Sequence, residues 1–535
     1  MAHVARYTPD LVARHVGAGR WTPEYPVDFW RRNARERGGE LAVVAPDGRH
    51  TWAEAVERIE RLAAGLVADG WRKDERLALQ APNSASLLFL RLACEAAGIV
   101  TILVPATFSR SEVEGIERVL APRGVAVDAG AAGAQRLSHY RAAAIRYTID
   151  GAPLPGTRAL PAGDARLAGT AFGPWEYAAI TTTSGTTGTP RFVEHAACAR
   201  LAAGREYLRR LAIGPGDAIC AFPSIFAGNC DLVAYHAAPQ AGARVLLVDA
   251  FDPEAACALV ERERATGAVF VPTLLHRLLA WPGLGSRDLS SLRFVTSFGA
   301  MLAPELAAET ERRLGARVIQ GYGASEYGAL ASTAIDDPEP VRLRGVGRPL
   351  PGTELEIRDA EGRPAPPGGA GRLHARGPYC VGGFVDDPQA TAEAWRDGYL
   401  ALGDLGRLDA DGYLWLEGRA RDLIIRGGQN IVPLEVEDAL LAHPAVSEVA
   451  VVGAPDAEMG ERVCAFVVPA AGEPPALEAL RAFVLARGLA RFKLPERLEL
   501  VPRLPMNPAG TKVNKRALAD RLAAGGRRTS GGNDP

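Results

Sequence analysis

TTTSGTTGTPRFVEH, residues 181–195, sets six hydroxyl side chains and two glycines in its first eight positions and then reaches Pro190 and Arg191. On composition alone this is a Ser/Thr/Gly linker. Its flanks argue otherwise. YAAITTT, residues 177–183, reads as a strand, and HAACARLAAGREYLRRLA, residues 195–212, reads as a helix. A strand, a glycine-rich turn and a helix form a setting in which backbone N–H groups and hydroxyls wrap an anion. The mononucleotide loop pattern needs four residues between its glycines and then Lys-Ser/Thr. Here Gly185 and Gly188 have two between them, and Pro190 follows. The expectation is a phosphate loop of a different kind.

Outward from this stretch, apolar β-branched runs alternate with helical patterns. ERLALQAP (75–82), GARVLLVDAF (242–251), GAVFVPT (267–273), LRFVTSFGA (292–300) and ARVIQGYG (316–323) read as strands. DPEAACALVERERATG (252–267) and APELAAETERRLG (303–315) read as helices between them. Such alternation predicts an α/β fold of parallel sheets covered by helices. From about Glu354 the texture changes to short strands and turns, with Asp411-Gly412 as a hairpin turn. After Arg421 a compact α+β unit is expected, with helices from Pro433 to Ala442 and from Pro475 to Arg487 around SEVAVVGAP and RVCAFVVPA. The division is 1–420 for a large N-terminal domain, with 354–420 a β-rich subdomain, then 421–522 for a small mobile C-terminal domain and 523–535 for a disordered tail. At roughly 150 residues per domain the length of 535 accommodates this plan.

Net charge is −2 with both signs interspersed, so no field favours nucleic acid or an acidic membrane. The most apolar stretch, LLFLRLACEAAGIVTILVPA (87–106), is broken by Arg91 and Glu95, and MAHVARYTPDLVARH has no long apolar core, so the expectation is neither a membrane span nor export. Seven scattered cysteines without CxxC spacing suit a reduced, cytoplasmic chain. Only four of the 61 basic residues are lysines: Lys73, Lys493, Lys512 and Lys515. Arginine is the default cation here, so Arg191 fills a place that a lysine could also serve, and a retained lysine draws notice. There is no G-x-S-x-G or H-E-x-x-H motif, and the nine histidines show no ligand spacing. GVGRPLPG at Gly345 mimics a dinucleotide fingerprint, but its prolines rule out the required helix.

TSGTTGTPR (183–191), QGYGASE (320–326), ALGDLGRLDADGYLWLEGRARDLIIRGGQNI (401–431) and RFKLPERLELVPRLPMNPAGTK (491–512) resemble, in order, the signature motifs of the AMP-forming adenylating superfamily of acyl-CoA synthetases, peptide-synthetase adenylation domains and luciferases. YTPDLVARHVGAGRWTPEYPVDFWRRNA (7–34) is similar to members that activate aryl acids. The resemblance implies ATP and Mg2+ as cofactors, attack of a carboxylate on the ATP α-phosphate, release of pyrophosphate, and transfer of the acyl group to CoA or a phosphopantetheine carrier protein.

By position, the resemblance places Thr183, Ser184, Gly185, Thr186, Thr187, Gly188 and Arg191 around the β- and γ-phosphates. It places Gly299 and Ala300 on the nucleotide side, Tyr322 against adenine, Ser325 at the α-phosphate and Glu326 on the metal. Asp404 would accept the ribose hydroxyls with Arg419 beside it, and Lys512 would bridge the carboxylate and α-phosphate. Lys512 follows Thr511 where the family usually has glycine, which leaves a one-residue question against its neighbours. Arg421 aligns with the hinge about which the small domain turns. Gly427-Gly428 either admits a thiol arm or forms a tight turn.

Phe226, Ala227, Phe298, Gly321 and Gly328 fall at the acyl pocket. The chain departs from the common pattern in HAACAR, which lacks the Thr/Ser-His pair, at Phe226, where many members carry histidine, and at Phe298, which is usually a small residue. A phenyl ring there shortens the pocket, so the expected substrate is a small or aromatic acid. Two other readings fit the same nucleotide motifs: a diazotase-like enzyme activating nitrite for an aromatic amine, and a non-catalytic AMP/ATP-binding protein. The acceptor and the oligomeric state are open in the sequence.

Overall fold

The computed structural model describes residues 7–164, 167, 169–182, 191–300, 302–359, 361–456, 458–470, 472–507 and 512–526, with side chains as far as 522. Four sheets organise the chain. In the first, Arg158–Ala159, Ile145–Thr148, Gly124–Val127, Arg76–Gln80, Val100–Leu103 and Tyr177–Thr182 lie side by side in parallel, and Phe192–Ala196 closes the edge antiparallel to Tyr177–Thr182. In the second, Arg317–Ala324, Phe294–Ser297, Gly267–Phe270, Ala218–Ala221, Arg244–Leu247 and Leu41–Ala45 run parallel, with antiparallel strands at both edges. The apolar runs read from sequence are the central strands of these sheets, buried on both faces as parallel strands are.

Local signals set the helices between them. Trp52–Ala68 opens on a capping box in which Thr51 and Glu54 exchange hydrogen bonds. Ala85–Ala97 is buried along its whole length and ends at Gly98, whose φ of +79° suits glycine. Trp30 tilts against Trp52 with ring centroids 4.9 Å apart, both fully buried, and ties the helix Pro26–Arg37 to Trp52–Ala68.

One expectation is corrected beside the opening stretch. His195 and Ala196 belong to the strand Phe192–Ala196, and the helix begins only at Ala197. Residues 183–190, which lie outside the described residues, are therefore flanked by two antiparallel strands and not by a strand and a helix N-terminus. All five residues of this strand are buried, so it shows no alternating face that would have separated it from the helical pattern beside it.

The strands Glu354–Arg358, Gly371–Arg376, Trp395–Arg396, Tyr399–Leu408 and Leu414–Arg419 form an antiparallel sheet, and Gly412, at φ +79°, occupies the hairpin turn. Another five-stranded sheet follows, in which Gly460–Pro469 pairs Val446–Asp456 on one side and Arg497–Leu500 on the other. Its faces separate by period two. Val463, Ala465 and Val467 pack under the helices Pro433–Leu441 and Leu477–Ala486, while Cys464 and Phe466 pack under Lys515–Gly526. That last helix continues into the stretch expected as tail, and residues 527–535 lie outside the described residues. GVGRPLPG forms no helix: Gly347 has φ +75° and Arg348–Pro349 is extended. All seven cysteines are free thiols, six of them buried.

Candidate active site

Parallel strands bring their carboxyl ends to one edge, where α/β sheets bind ligands. Phe298, Gly299 and Ala300 follow Phe294–Ser297 directly, and Phe226 and Ala227 follow Ala218–Ala221 after a short loop. Arg317–Ala324 carries Gly321 and Tyr322 at its end, and the turn of residues 325–327 then holds Ser325 and Glu326 before Gly328–Ser332 returns antiparallel. Thr183, Ser184, Gly185, Thr186, Thr187 and Gly188, expected at the phosphates, lie outside the described residues. The strand that leads into them and Arg191 that follows are described. Arg191 is exposed, and its guanidinium sits 5.1 Å above the Phe384 ring.

Two sheets and a segment of the small domain contribute to a polar cluster at this edge. Tyr322 donates its hydroxyl proton to Asp404 Oδ2 at 2.6 Å. Asp404 and Arg419 are cross-strand partners, with Arg419 Nε 3.3 Å from Asp404 Oδ1. Lys512, from the small domain, feels both the Asp404 and the Glu326 carboxylates, so the small domain faces the large one here. Burial, then the cations Arg419 and Arg421, push the Lys512 ammonium down to about 8 against those carboxylates. Burial lifts the Glu326 carboxyl above its usual range, and Lys512, Arg191 and Arg419 oppose that rise. The Glu326 carbonyl accepts from Val381 N at 3.2 Å, which fixes the turn.

The four lysines now separate. Lys73 pairs with Glu176 at 2.6 Å, Lys493 with Glu435 at 2.5 Å and Lys515 with Glu437 at 2.6 Å. Lys512 makes no ion pair among the described residues and faces the cluster. Its backbone N–H donates to Asn507 Oδ1 at 3.1 Å, while residues 508–511, including Thr511, lie outside the described residues. Arg421 sits in the short helical turn Ala420–Asp422 with Asp422 at 3.5 Å. Gly427 and Gly428 have φ of +54° and +80° between Ile424–Arg426 and Gln429–Ile431. A two-residue hairpin turn with both φ positive demands these glycines by itself.

On the other side of the cluster, Phe298 is 9% exposed and tilts against Tyr207 at 5.6 Å between centroids. Its ring covers Gly321: a Cβ added there would stand 1.7 Å from Phe298 Cε1. Gly328 has φ +84°, and a Cβ added there would stand 3.0 Å from the Tyr379 carbonyl and 3.5 Å from Arg200 Nη1. Phe226 is buried, and its loop is held by Asn83, which donates to Pro223 O at 2.9 Å and accepts from Ile225 N at 2.8 Å. Gly299, at φ +91°, and Ala300 are exposed at the rim.

Sequence reading missed a buried charged group next to this edge, formed by Arg91, Glu95, His195, Arg200, Asp231 and His236. Its only sequence signal is the Arg91 and Glu95 pair, one helical turn apart inside the most apolar run. Glu326 offers one carboxylate, and no group of three or more His, Cys, Asp or Glu is placed to hold a metal among the described residues. A Mg2+ that arrives on phosphates and keeps several waters needs only one or two carboxylates, so this donor fits that cation. No described helix is long and apolar enough to cross a membrane.

Comparison with known proteins agrees with this geometry. The sequence matches the family described as AMP-binding enzyme over residues 30–385 and the AMP-binding enzyme C-terminal domain over 435–511. It is 34% identical over 538 residues to pyochelin synthase PchD of Pseudomonas aeruginosa, covering 96% of this chain and 95% of that one. It is 33% identical over 554 residues to 2-hydroxy-7-methoxy-5-methyl-1-naphthoate–CoA ligase of Streptomyces carzinostaticus, covering 96% of each. The amide bond synthetase McbA of Marinactinospora thermotolerans superposes with a TM-score of 0.83 at 30% identity, over 93% of this chain and 99% of that one. Fold, motif order and relatives agree, and the chain belongs to the AMP-binding enzymes as an AMP-forming acid–thiol ligase with a large N-terminal and a smaller C-terminal domain.

Proposed function

We propose that the protein adenylates a small aromatic carboxylic acid with Mg-ATP and then passes the acyl group to the thiol of CoA or of a carrier protein. The observation that carries this reading is the meeting of Lys512 with Asp404, Arg419, Tyr322 and Glu326 at the carboxyl edge of the large sheet. Relatives named for aryl substrates support the aromatic class, among them a feruloyl-CoA synthase of Amycolatopsis sp. at 34% identity. Those relatives lend no support to nitrite activation or to a non-catalytic role.

In the first half-reaction an oxygen of the substrate carboxylate attacks the α-phosphorus, the bond to the bridging β-oxygen breaks, and pyrophosphate leaves with the electron pair. Negative charge spreads over the phosphate oxygens, so fixed cations and donors lower the barrier. Lys512 holds the carboxylate and α-phosphate together, and Ser325 donates to the α-phosphate. Arg191 and the hydroxyl-rich loop 183–188 steady the β- and γ-phosphates. Asp404, oriented by Tyr322 and Arg419, accepts the ribose hydroxyls. Glu326 holds Mg2+, which neutralises phosphate charge when bound. In the second half-reaction the small domain turns about Arg421, and the acceptor sulfur attacks the acyl carbon as the bond to AMP breaks.

Phe298 limits the acid. With its ring on Gly321 and Tyr207 behind it, the space beside the strand end is already filled by an aromatic side chain. Compact acids are therefore favoured over long chains. The test is pyrophosphate release from Mg-ATP by the purified protein across short aliphatic acids, long-chain acids, substituted benzoates and cinnamates, and nitrite with an aromatic amine. Turnover confined to aryl acids supports the reading, while a requirement for nitrite or a preference for long chains overturns it.

A further inference from the structure

The charged group behind the site has a cost and a geometry that packing alone does not explain. Arg91, His195, Arg200, Asp231 and His236 are each 8% exposed or less. Burying such charges costs several kcal/mol per ion before pairing, and well-packed apolar residues are often as stable. Their contacts form a chain. Thr181, the penultimate residue of the strand entering the phosphate loop, has its Oγ1 2.7 Å from His195 Nε2. Arg200 Nη2 lies 2.8 Å from His195 Nδ1. A guanidinium only donates, so Nδ1 accepts, the ring proton sits on Nε2, and Nε2 donates to Thr181. Burial holds His195 neutral well below its usual titration, consistent with that tautomer.

On its other side Arg200 Nε is 3.8 Å from Asp231 Oδ2, and Arg91 Nη2 is 2.7 Å from Asp231 Oδ1. Asp231 N donates to Ala227 O at 2.8 Å and begins the π-helix Asp231–Ala237, a rare geometry enriched at functional sites. A Cβ added at Gly328, two residues beyond Glu326, would stand 3.5 Å from Arg200 Nη1, so this side chain lies near the turn without bonding to it. One buried side chain thus contacts His195, which holds Thr181 of the strand leading to the phosphate loop, and Asp231, in the segment that follows Phe226 and Ala227. A small cavity lies among Arg91, Glu95, Thr181, His195, Arg200 and Asp231.

We propose that Arg200 is a positioning residue that couples the nucleotide end of the site to the acid end, through His195 to Thr181 and through Asp231 to the segment 226–237. This rests on the adenylating reading above. Nucleotide on the loop then orders the acid segment before any acid is present, and acid binding favours nucleotide by the same factor.

The experiment is hydrogen exchange of the full chain with and without Mg-α,β-methylene-ATP, which cannot be cleaved at the reacting bond, beside calorimetric binding of the same probe. In the natural protein the probe should slow exchange in 226–237 by about fivefold. In Arg200→Met that slowing should vanish while probe affinity changes less than about threefold, because Asp231 keeps Arg91 as partner. Arg200→Lys, which keeps the charge, should restore part of it. If the natural protein binds the probe without slowing 226–237, or if Arg200→Met keeps the slowing, the coupling is overturned. Should Arg200→Met fail to fold, His195→Gln tests the other link with the same outcomes. Failure of the natural protein to bind the probe at all overturns the adenylating reading itself, a distinct result.

Discussion

The Tyr322 hydroxyl lies 2.6 Å from Asp404 Oδ2, joining the end of a strand in the large parallel sheet to a strand of the antiparallel sheet beyond residue 354. Arg419 flanks the same carboxylate from the neighbouring strand. The carboxylate expected at ribose is thereby held from two sides before nucleotide arrives. Tyr322→Phe keeps the ring and removes only the donor. A hydrogen bond to a charged acceptor is worth about 1.5–3 kcal/mol, so KM for Mg-ATP should rise about tenfold or more with little change in kcat. Steady-state kinetics at saturating acid check this split.

Gly321→Ala drives a Cβ to 1.7 Å from Phe298 Cε1, so the ring must leave its place. Overpacking of this kind costs about 1–3 kcal/mol. Denaturant unfolding of the large domain should show that loss, and the pair Gly321→Ala with Phe298→Ala should recover most of it. Phe298→Gly alone should admit longer acids in the pyrophosphate-release assay. An unchanged acid range in Phe298→Gly would remove Phe298 from the account of specificity.

Lys512 titrates near 8 because burial and two neighbouring guanidiniums disfavour its charge. On the role proposed for its cation in adenylation, kcat/KM should fall as pH rises through about 8, and bound phosphates should carry the corresponding limb of kcat to higher pH. The sign for stability is the reverse. Between about 8 and the ordinary lysine value the unfolded chain binds more protons than the folded one, so this group's contribution improves as pH rises across that window. Lys512→Met should flatten both dependences.

Arg191→Lys should leave adenylation within about threefold. An ammonium can take the place over the Phe384 ring, and the preceding stretch of sequence is rich in hydroxyl residues. A loss of a hundredfold would show that the planar fork itself matters. Pyrophosphate exchange at several ATP concentrations separates the two cases.

Asp438 marks the meeting of the two domains. Burial, with Glu437 and Glu305 adding to it, lifts its carboxyl to about 7 against Lys515 and Arg344. Arg487 of the small domain also pairs with Glu305 of the large one at 3.1 Å. A carboxyl raised in the docked pose takes up a proton on docking, so docking weakens as pH rises from the ordinary aspartate value to about 7 and levels off above it. Asp438→Asn should abolish that slope and favour this pose at pH 8, read by energy transfer between dyes on the two domains.

The central parallel strands, the helices between them and the hairpin at Gly412 were legible because burial on both faces and turn chemistry leave strong local marks. The edge strand Phe192–Ala196 was not, since its five residues sit beside a helical pattern and its pairing is with a strand across the glycine-rich loop. Asp404, Arg419 and Lys512 could be named from motif order, but not the hold of Tyr322 on Asp404, which joins residues 82 positions apart. The Arg200 hub left almost no trace. Asp231 and His195 look like ordinary surface residues until tertiary packing buries them together, and in this arginine-rich chain one more arginine carries no signal.

The central claim is that Lys512, and not its neighbour, carries adenylation at the cluster with Asp404 and Glu326. The most direct measurement is acid-dependent ATP–pyrophosphate exchange by the natural protein, Lys512→Ala and Lys515→Ala side by side, with an aryl acid that supports turnover. The account predicts exchange in the natural protein, loss of about a hundredfold or more in Lys512→Ala, and near-normal exchange in Lys515→Ala, whose lysine is engaged by Glu437. Normal exchange in Lys512→Ala together with its loss in Lys515→Ala would contradict it.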